Sequence, residues 1–137
     1  DRTNATRLKR YMKTVHHEFA HILHQNVEYD AEFEKITPSY SSSWMQMNDE
    51  TARSKGFITA YAFSSADEDF AEMVSIMLTN SPEDWDNMIE NAGNAAAVEA
   101  LRKKEAIVVA YMKNNWGVNM KDFQKEVVAA IEAAVRN

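Results

Sequence analysis

The stretch His17-Glu18-Phe19-Ala20-His21 places two imidazoles and a carboxylate at a spacing that suits metal-assisted hydrolysis. On a helix, residues i and i+4 share a face with Cβ atoms ~5–6 Å apart. Two imidazoles so placed can both reach one Zn²⁺ at ~2.0–2.1 Å and leave room for further ligands. Glu18 follows the first histidine, where a metal-activated water needs a proton acceptor. The chemistry this spacing suggests is that of a zinc hydrolase, above all a peptidase. The competing reading, two solvated or core histidines, is tested by whether the rest of the chain offers a third ligand.

Two histidines need a further protein ligand to hold zinc in a catalytic geometry. The metzincin pattern would place glycine three residues past the second histidine and a third histidine three further on; here those positions are His24 and Val27, so that route fails. A carboxylate from a separate helix is the other route, and Ser65-Ala66-Asp67-Glu68-Asp69-Phe70-Ala71-Glu72 offers one. Glu68 and Glu72 are i and i+4 and point to one side, which suits one metal ligand and one partner holding a histidine by its other ring nitrogen. Spacing alone leaves open which glutamate does which. Ser65 with Glu68 also reads as a capping box, and Asp67 and Asp69 read as first-turn acids favoured by the helix dipole. His24 lies one turn beyond His21 on the same face and reads as a polar contact, whereas His16 is rotated away.

The elements that must carry these groups are helices. Leu8, Met12, Val15, Phe19 and Ile22 or Leu23 recur at helical spacing, so a first helix is expected over about residues 5–25, with Val15, Phe19 and Ile22 on the apolar face opposite the histidines. Residues 26–64 are the least regular, with Thr37-Pro38 and Ser41-Ser42-Ser43 marking loops and Trp44, Met45 and Met47 a short packed element. A short helix from Asp49 should stop at Gly56, and 57–63 is β-rich in composition but too short to assign. Ser65 then opens a second helix over about 65–80 with Phe70, Met73, Val74, Met77 and Leu78 as its core stripe. Ser81-Pro82 restarts a helix with serine as N-cap and proline at N1, and further helices to about 136 form a C-terminal helical part. Met73, Met77, Trp85, Trp116 and Phe123 read as core.

Composition narrows the class. The 137 residues form a single-domain length with 45% hydrophobic and 26% charged residues, and only three glycines and two prolines leave few turns, so the fold is expected to be mainly α. A net charge of −6 opposes a nucleic-acid surface. The absence of cysteine removes disulfides and cysteine zinc sites. The longest apolar run, Ala106 to Met112, is far short of the ~20 residues that span a bilayer. The chain lacks an initiator methionine and enters its first helix almost at once, which reads as part of a longer protein.

The blocks His16-His17-Glu18-Phe19-Ala20-His21-Ile22-Leu23-His24-Gln25 and Gly56-Phe57…Tyr61-Ala62…Glu68-Asp69-Phe70-Ala71-Glu72 carry a resemblance. Together they are similar to the zinc-binding metallopeptidases of Bacteroidetes-type bacteria, envelope lipoproteins of gluzincin type associated with substrate import. The second block also resembles lethal-factor-like and Pro-Pro endopeptidases, in which a tyrosine lies seven residues before the ligand glutamate and another glutamate four after it. The resemblance covers residues 8–80. It implies a zincin-like catalytic region with a His17, His21, Glu68 zinc site, Glu72 holding a histidine, and Tyr61 donating to the transition state. It also implies an envelope or extracellular location, a lipid anchor, and an import machinery at the outer membrane as partner. Family members usually carry an upstream β-sheet whose edge aligns the peptide, and this chain begins after any such sheet.

The expected reaction is hydrolysis of a peptide or protein substrate. Two neutral imidazoles and one carboxylate leave a zinc site at about +1, which draws a bound water's pKa toward ~7, with Glu18 taking the proton. A silent zinc-binding accessory protein and a zinc hydrolase of non-peptide bonds are the rival readings.

Overall fold

A computed structural model describes residues 2–136. Its centre is a helix, α4 (Ala66–Thr79), buried on every side from Asp69 onward. Ser65 starts it in extended backbone, its Oγ accepting the Glu68 N–H at 3.2 Å, and Asp67, Glu68 and Asp69 fill the first turn, where the helix dipole favours acids. Glu68 does not close the capping box with its side chain, which turns instead toward α1 (Arg2–Asn26).

Around α4 stand α1, α2 (Glu32–Ile36), α3 (Asp49–Ser54), α5 (Pro82–Glu90), α6 (Ala95–Trp116) and α7 (Met120–Arg136). Short 3₁₀ turns occupy Ser42–Gln46 and Tyr61–Ser64. No strand occurs among the described residues, so the β-rich composition of 57–63 resolves into a buried loop ending in the second of these turns. The caps follow the sequence. Ser81 caps α5 ahead of Pro82, Asn94 caps α6, and Gly117 ends α6 at φ +67°, a conformation that costs glycine little.

The principal neighbour of α4 is α1. The face of α1 that packs inward carries His17, Ala20, Leu23 and His24. Val15, Phe19 and Ile22 lie on the face opposite the histidines, as expected, and that face points outward: Val15 is 41% exposed, Phe19 45% and Ile22 54%, with Tyr11 beside them. Periodicity identifies an apolar stripe on a helix without saying what it faces, and α4 takes the histidine face because its own glutamates meet it there. Trp116 and Met45 are also exposed rather than core.

Phe70 anchors the middle of the core. Its ring is fully buried, stacks on Tyr29 at 4.7 Å and meets Phe33 and Tyr111 edge-on. Truncation of such a side chain to alanine costs about 3–5 kcal/mol. A second anchor is polar. Lys104 of α6, wholly buried, reaches Asp69 at 2.7 Å and donates to the Gly56 carbonyl at 2.7 Å, while Tyr40 donates to Asp69 at 2.8 Å. Asp69 is therefore not a solvated first-turn acid but half of a buried ion pair. Burial pushes its carboxyl up, to about 6, and the Lys104 ammonium down, each partner's charge opposing the other's shift. This pair ties the start of α4 to α6 and to the loop before Tyr61. No helix among the described residues is long and apolar enough to cross a membrane.

Candidate metal centre

Three of the sequence-predicted residues converge on one point. His17 and His21 lie one turn apart on α1, with Nε2 atoms 3.1 Å apart. Glu68, from the first turn of α4, places Oε2 3.2 Å from His17 Nε2 and Oε1 2.5 Å from His21 Nε2. His17, His21 and Glu68 form the one grouping of histidine and acidic side chains among the described residues that could hold a metal ion. The edge of a tetrahedron with bonds of ~2.0–2.1 Å measures ~3.3–3.4 Å, close to the 3.1 and 3.2 Å separations from His17 Nε2. Two imidazoles and one carboxylate are the donor types zinc takes, so the residues present fit the ion.

Glu72 lies four residues on, on the far side of the His17 ring. The Nδ1–H of His17 donates to its Oε2 at 3.0 Å, and Thr59 donates to its Oε1 at 2.8 Å. Lys13 Nζ stands 3.8 Å from the same oxygen. Glu72 is thus separated from the convergence point by the imidazole it holds. The alternatives that spacing left open separate geometrically: Glu68 faces both Nε2 atoms and Glu72 faces one Nδ1.

This arrangement has an electrostatic consequence. With its Nδ1 proton committed to Glu72, a neutral His17 presents a bare Nε2 lone pair toward Glu68. Burial opposes a charge on His17, but the hydrogen bond and charge of Glu72, reinforced by Glu68, prevail and raise its pKa above 6.5. Burial likewise works against the Glu72 carboxylate, yet His17, Lys13 and Thr59 hold it below its usual range.

Tyr61 opens the 3₁₀ turn after the buried loop and sits at the rim. Its ring lies 5.7 Å from that of His17, and Trp44 packs edge-on against it at 4.9 Å. A hydrogen bond to Glu68, then partial burial and the nearby acids, push its hydroxyl up to about 12, so it is a proton-bearing donor at neutral pH. Glu18 lies on the exposed side of α1, next to the histidine face.

Sequence reasoning missed the groups that hold this constellation in place. Thr59 links Glu72 to the loop by accepting the Ala62 N–H at 3.2 Å, and nothing in its local pattern sets it apart. Lys104 carried a signal that could have been read: it occupies the buried stripe Ala97, Leu101, Lys104, Val108 of α6, where a lysine needs a partner. His24 does make a polar contact, and that contact is to His21 itself, Nε2 to Nδ1 at 2.8 Å.

A helical protein with two histidines and one carboxylate brought together between α1 and α4 has the donor set of a possible metal site. The comparisons make that reading specific. The family model described as "Putative zinc-binding metallo-peptidase" matches residues 1–121, and the chain belongs to that family. A crystal structure of a "putative zinc-binding metallo-peptidase" from Bacteroides caccae superposes with a TM-score of 0.84 at 35% identity, covering 95% of this chain. The chain spans 50% of the length of that protein. Among curated proteins none matches.

Proposed function

We propose that this chain carries the metal-binding and catalytic residues of a zinc-dependent peptidase of gluzincin type. The single observation behind this reading is the convergence of His17 Nε2, His21 Nε2 and the Glu68 carboxylate, each from a rigid helix, beside a free glutamate in the first histidine's next position. Glu72 supports it by fixing the tautomer of His17, and membership of a family described as zinc-binding supports the choice of metal.

In this reading His17, His21 and Glu68 hold the ion. Zinc, when bound, supplies Lewis acidity that lowers the pKa of a water from 15.7 to ~7 and polarises a carbonyl. Glu18, on the open side, takes a proton from the attacking water and returns it to the leaving amine. Tyr61, protonated and at the rim, donates to the carbonyl oxygen as negative charge develops there, a contribution worth on the order of 10²–10³ in rate. Thr59 and Lys13 hold Glu72, and so His17, without touching the substrate. The substrate class is a peptide or protein, and the family resemblance favours an envelope location beside an import system.

Two measurements on the protein test this. Metal analysis should give about one zinc per chain, lost in His17→Ala. Cleavage of a peptide library should fall at least ~10²-fold in Glu18→Gln while zinc content is kept. Equal cleavage by the two proteins would remove the catalytic claim and leave a zinc-binding accessory protein.

A further inference from the structure

The two histidines of the cluster are held from behind by different kinds of acceptor. His17 donates its Nδ1–H to a carboxylate, Glu72. His21 places its Nδ1 2.8 Å from a second imidazole, His24 Nε2, three residues on along the same helix. We propose that His24 is a positioning residue for His21. The His24 Nε2 accepts the Nδ1–H of His21 and so fixes the tautomer in which the Nε2 lone pair of His21 faces Glu68 and His17. The inference rests on the reading of His17, His21 and Glu68 as a zinc site.

Three features on the structure carry it. One is direction. A ligand histidine facing the cluster through Nε2 keeps its proton on Nδ1, so the short contact to His24 has one consistent polarity, with His24 Nε2 as acceptor. Another is rigidity. His24 is only 9% exposed, and its ring stands edge-on to Phe70 at 6.0 Å, to Tyr29 at 5.7 Å and to His21 at 5.0 Å. Phe70 is itself fully buried and lies two residues past Glu68, so the same aromatic wedge that holds His24 belongs to the helix bearing the carboxylate. The geometry of His21 relative to Glu68 is thereby set from both helices at once.

The third feature is charge. Glu68 and Glu72 already bring two negative charges to the cluster, one of them partly offset by Lys13 at 3.8 Å. A second carboxylate behind a ligand histidine would add a further negative charge and weaken the loaded site's pull on a bound water. An imidazole supplies the hydrogen bond without the charge. That gives a physical reason for histidine, and not glutamate, at position 24.

The test uses two side chains of nearly equal length that differ in having an acceptor. His24→Gln keeps an amide oxygen able to take the Nδ1–H; His24→Met keeps the volume and apolar contacts and offers only a weak sulfur acceptor. Zinc affinity is measured by chelator competition, the Co²⁺ d–d spectrum reports the ligand field, and the melting temperature of the metal-free protein reports packing. The expected result is a ~10–100-fold loss of zinc affinity and an altered Co²⁺ spectrum in His24→Met, with affinity and spectrum largely restored in His24→Gln. His24→Leu repeats the comparison should the methionine variant not fold. Wild-type affinity in His24→Met, or equal losses in the two variants, would overturn the role of His24 while leaving the zinc site standing. Absence of zinc binding by the wild-type protein would instead overturn the zinc reading and this inference with it.

Discussion

Replacement of Glu72 by glutamine is the perturbation that best separates the two glutamates of α4. In the structure Glu72 and His17 are both buried, joined by an Nδ1–H···Oε2 hydrogen bond of 3.0 Å. A hydrogen bond to a charged group is worth ~1.5–3 kcal/mol, and a neutral one ~0.5–1.5. Glutamine keeps an acceptor for the imidazole but removes the charge, so the net loss is about 1–1.5 kcal/mol. At 1.4 kcal/mol per decade that is roughly a tenfold fall in zinc affinity. Glu72→Leu removes the acceptor as well and should lose ~10–150-fold by the same arithmetic, in line with the 10–100-fold cost of removing such ligand-orienting partners. Glu68→Gln, by contrast, strikes a group that faces both Nε2 atoms, and its loss should exceed either. Chelator competition at fixed pH gives all three constants. The reasoning is refuted if Glu72→Gln abolishes zinc binding while Glu68→Gln preserves it, because the ligand would then be Glu72 and the observed direction of its carboxylate irrelevant.

The raised pKa of His17 means that zinc must displace a proton there, so apparent zinc affinity should fall with decreasing pH from a point above 6.5, earlier than for an ordinary histidine. For the metal-free protein the sign is the reverse: the stability His17 gains from Glu72 and Glu68 is complete below 6.5 and fades as pH rises through its raised value. Affinity that stays flat from pH 8 to 6 would contradict both. Lys104→Met should cost ~3–5 kcal/mol by leaving Asp69 buried without its cation, lowering the melting temperature by about 10–20 °C. That loss should shrink at pH 5, where the Asp69 carboxyl, already pushed up to about 6, takes a proton; an equal loss at pH 5 and pH 8 would refute the ion-pair account.

The helices were legible because their ends carry local chemistry. Ser65, Ser81, Asn94 and Gly117 cap or stop helices through bonds made within a few residues, and such signals survive without knowledge of the fold. The histidine pair was legible for the same reason, since i and i+4 on one helix fix its geometry. What could not be read was anything set by the meeting of two helices. The stripe of Val15, Phe19 and Ile22 was legible as an apolar face, but not as one turned outward, because periodicity reports only that apolar residues share a face. Asp69 looked like a helix-dipole acid because its true partner, Lys104, is remote in sequence. The order of Glu68 and Glu72 depended on the rotation of α4 relative to α1, which spacing does not encode.

Three of the four acids of α4 differ in what neutralises them, and that difference is a physical pointer to a cation; the fourth, Asp67 at the exposed start of the helix, accepts from the Tyr29 hydroxyl at 2.6 Å. Asp69 has a fixed ammonium at 2.7 Å and a tyrosine hydroxyl. Glu72 has the His17 Nδ1–H, the Thr59 hydroxyl and Lys13 beyond. Among the described residues no lysine or arginine pairs with Glu68; it faces the Nε2 atoms of two imidazoles whose other nitrogens are already engaged, with Tyr61 as its remaining donor. Two lone pairs and a carboxylate aimed at one point repel unless something positive sits between them. A single proton can be shared by only two of the three donors at a time, whereas one divalent ion satisfies all three together. The fold gives Asp69 and Glu72 partners of their own, and Glu68, facing only the two imidazoles and Tyr61, is the acid of α4 on which the proposed ion would act.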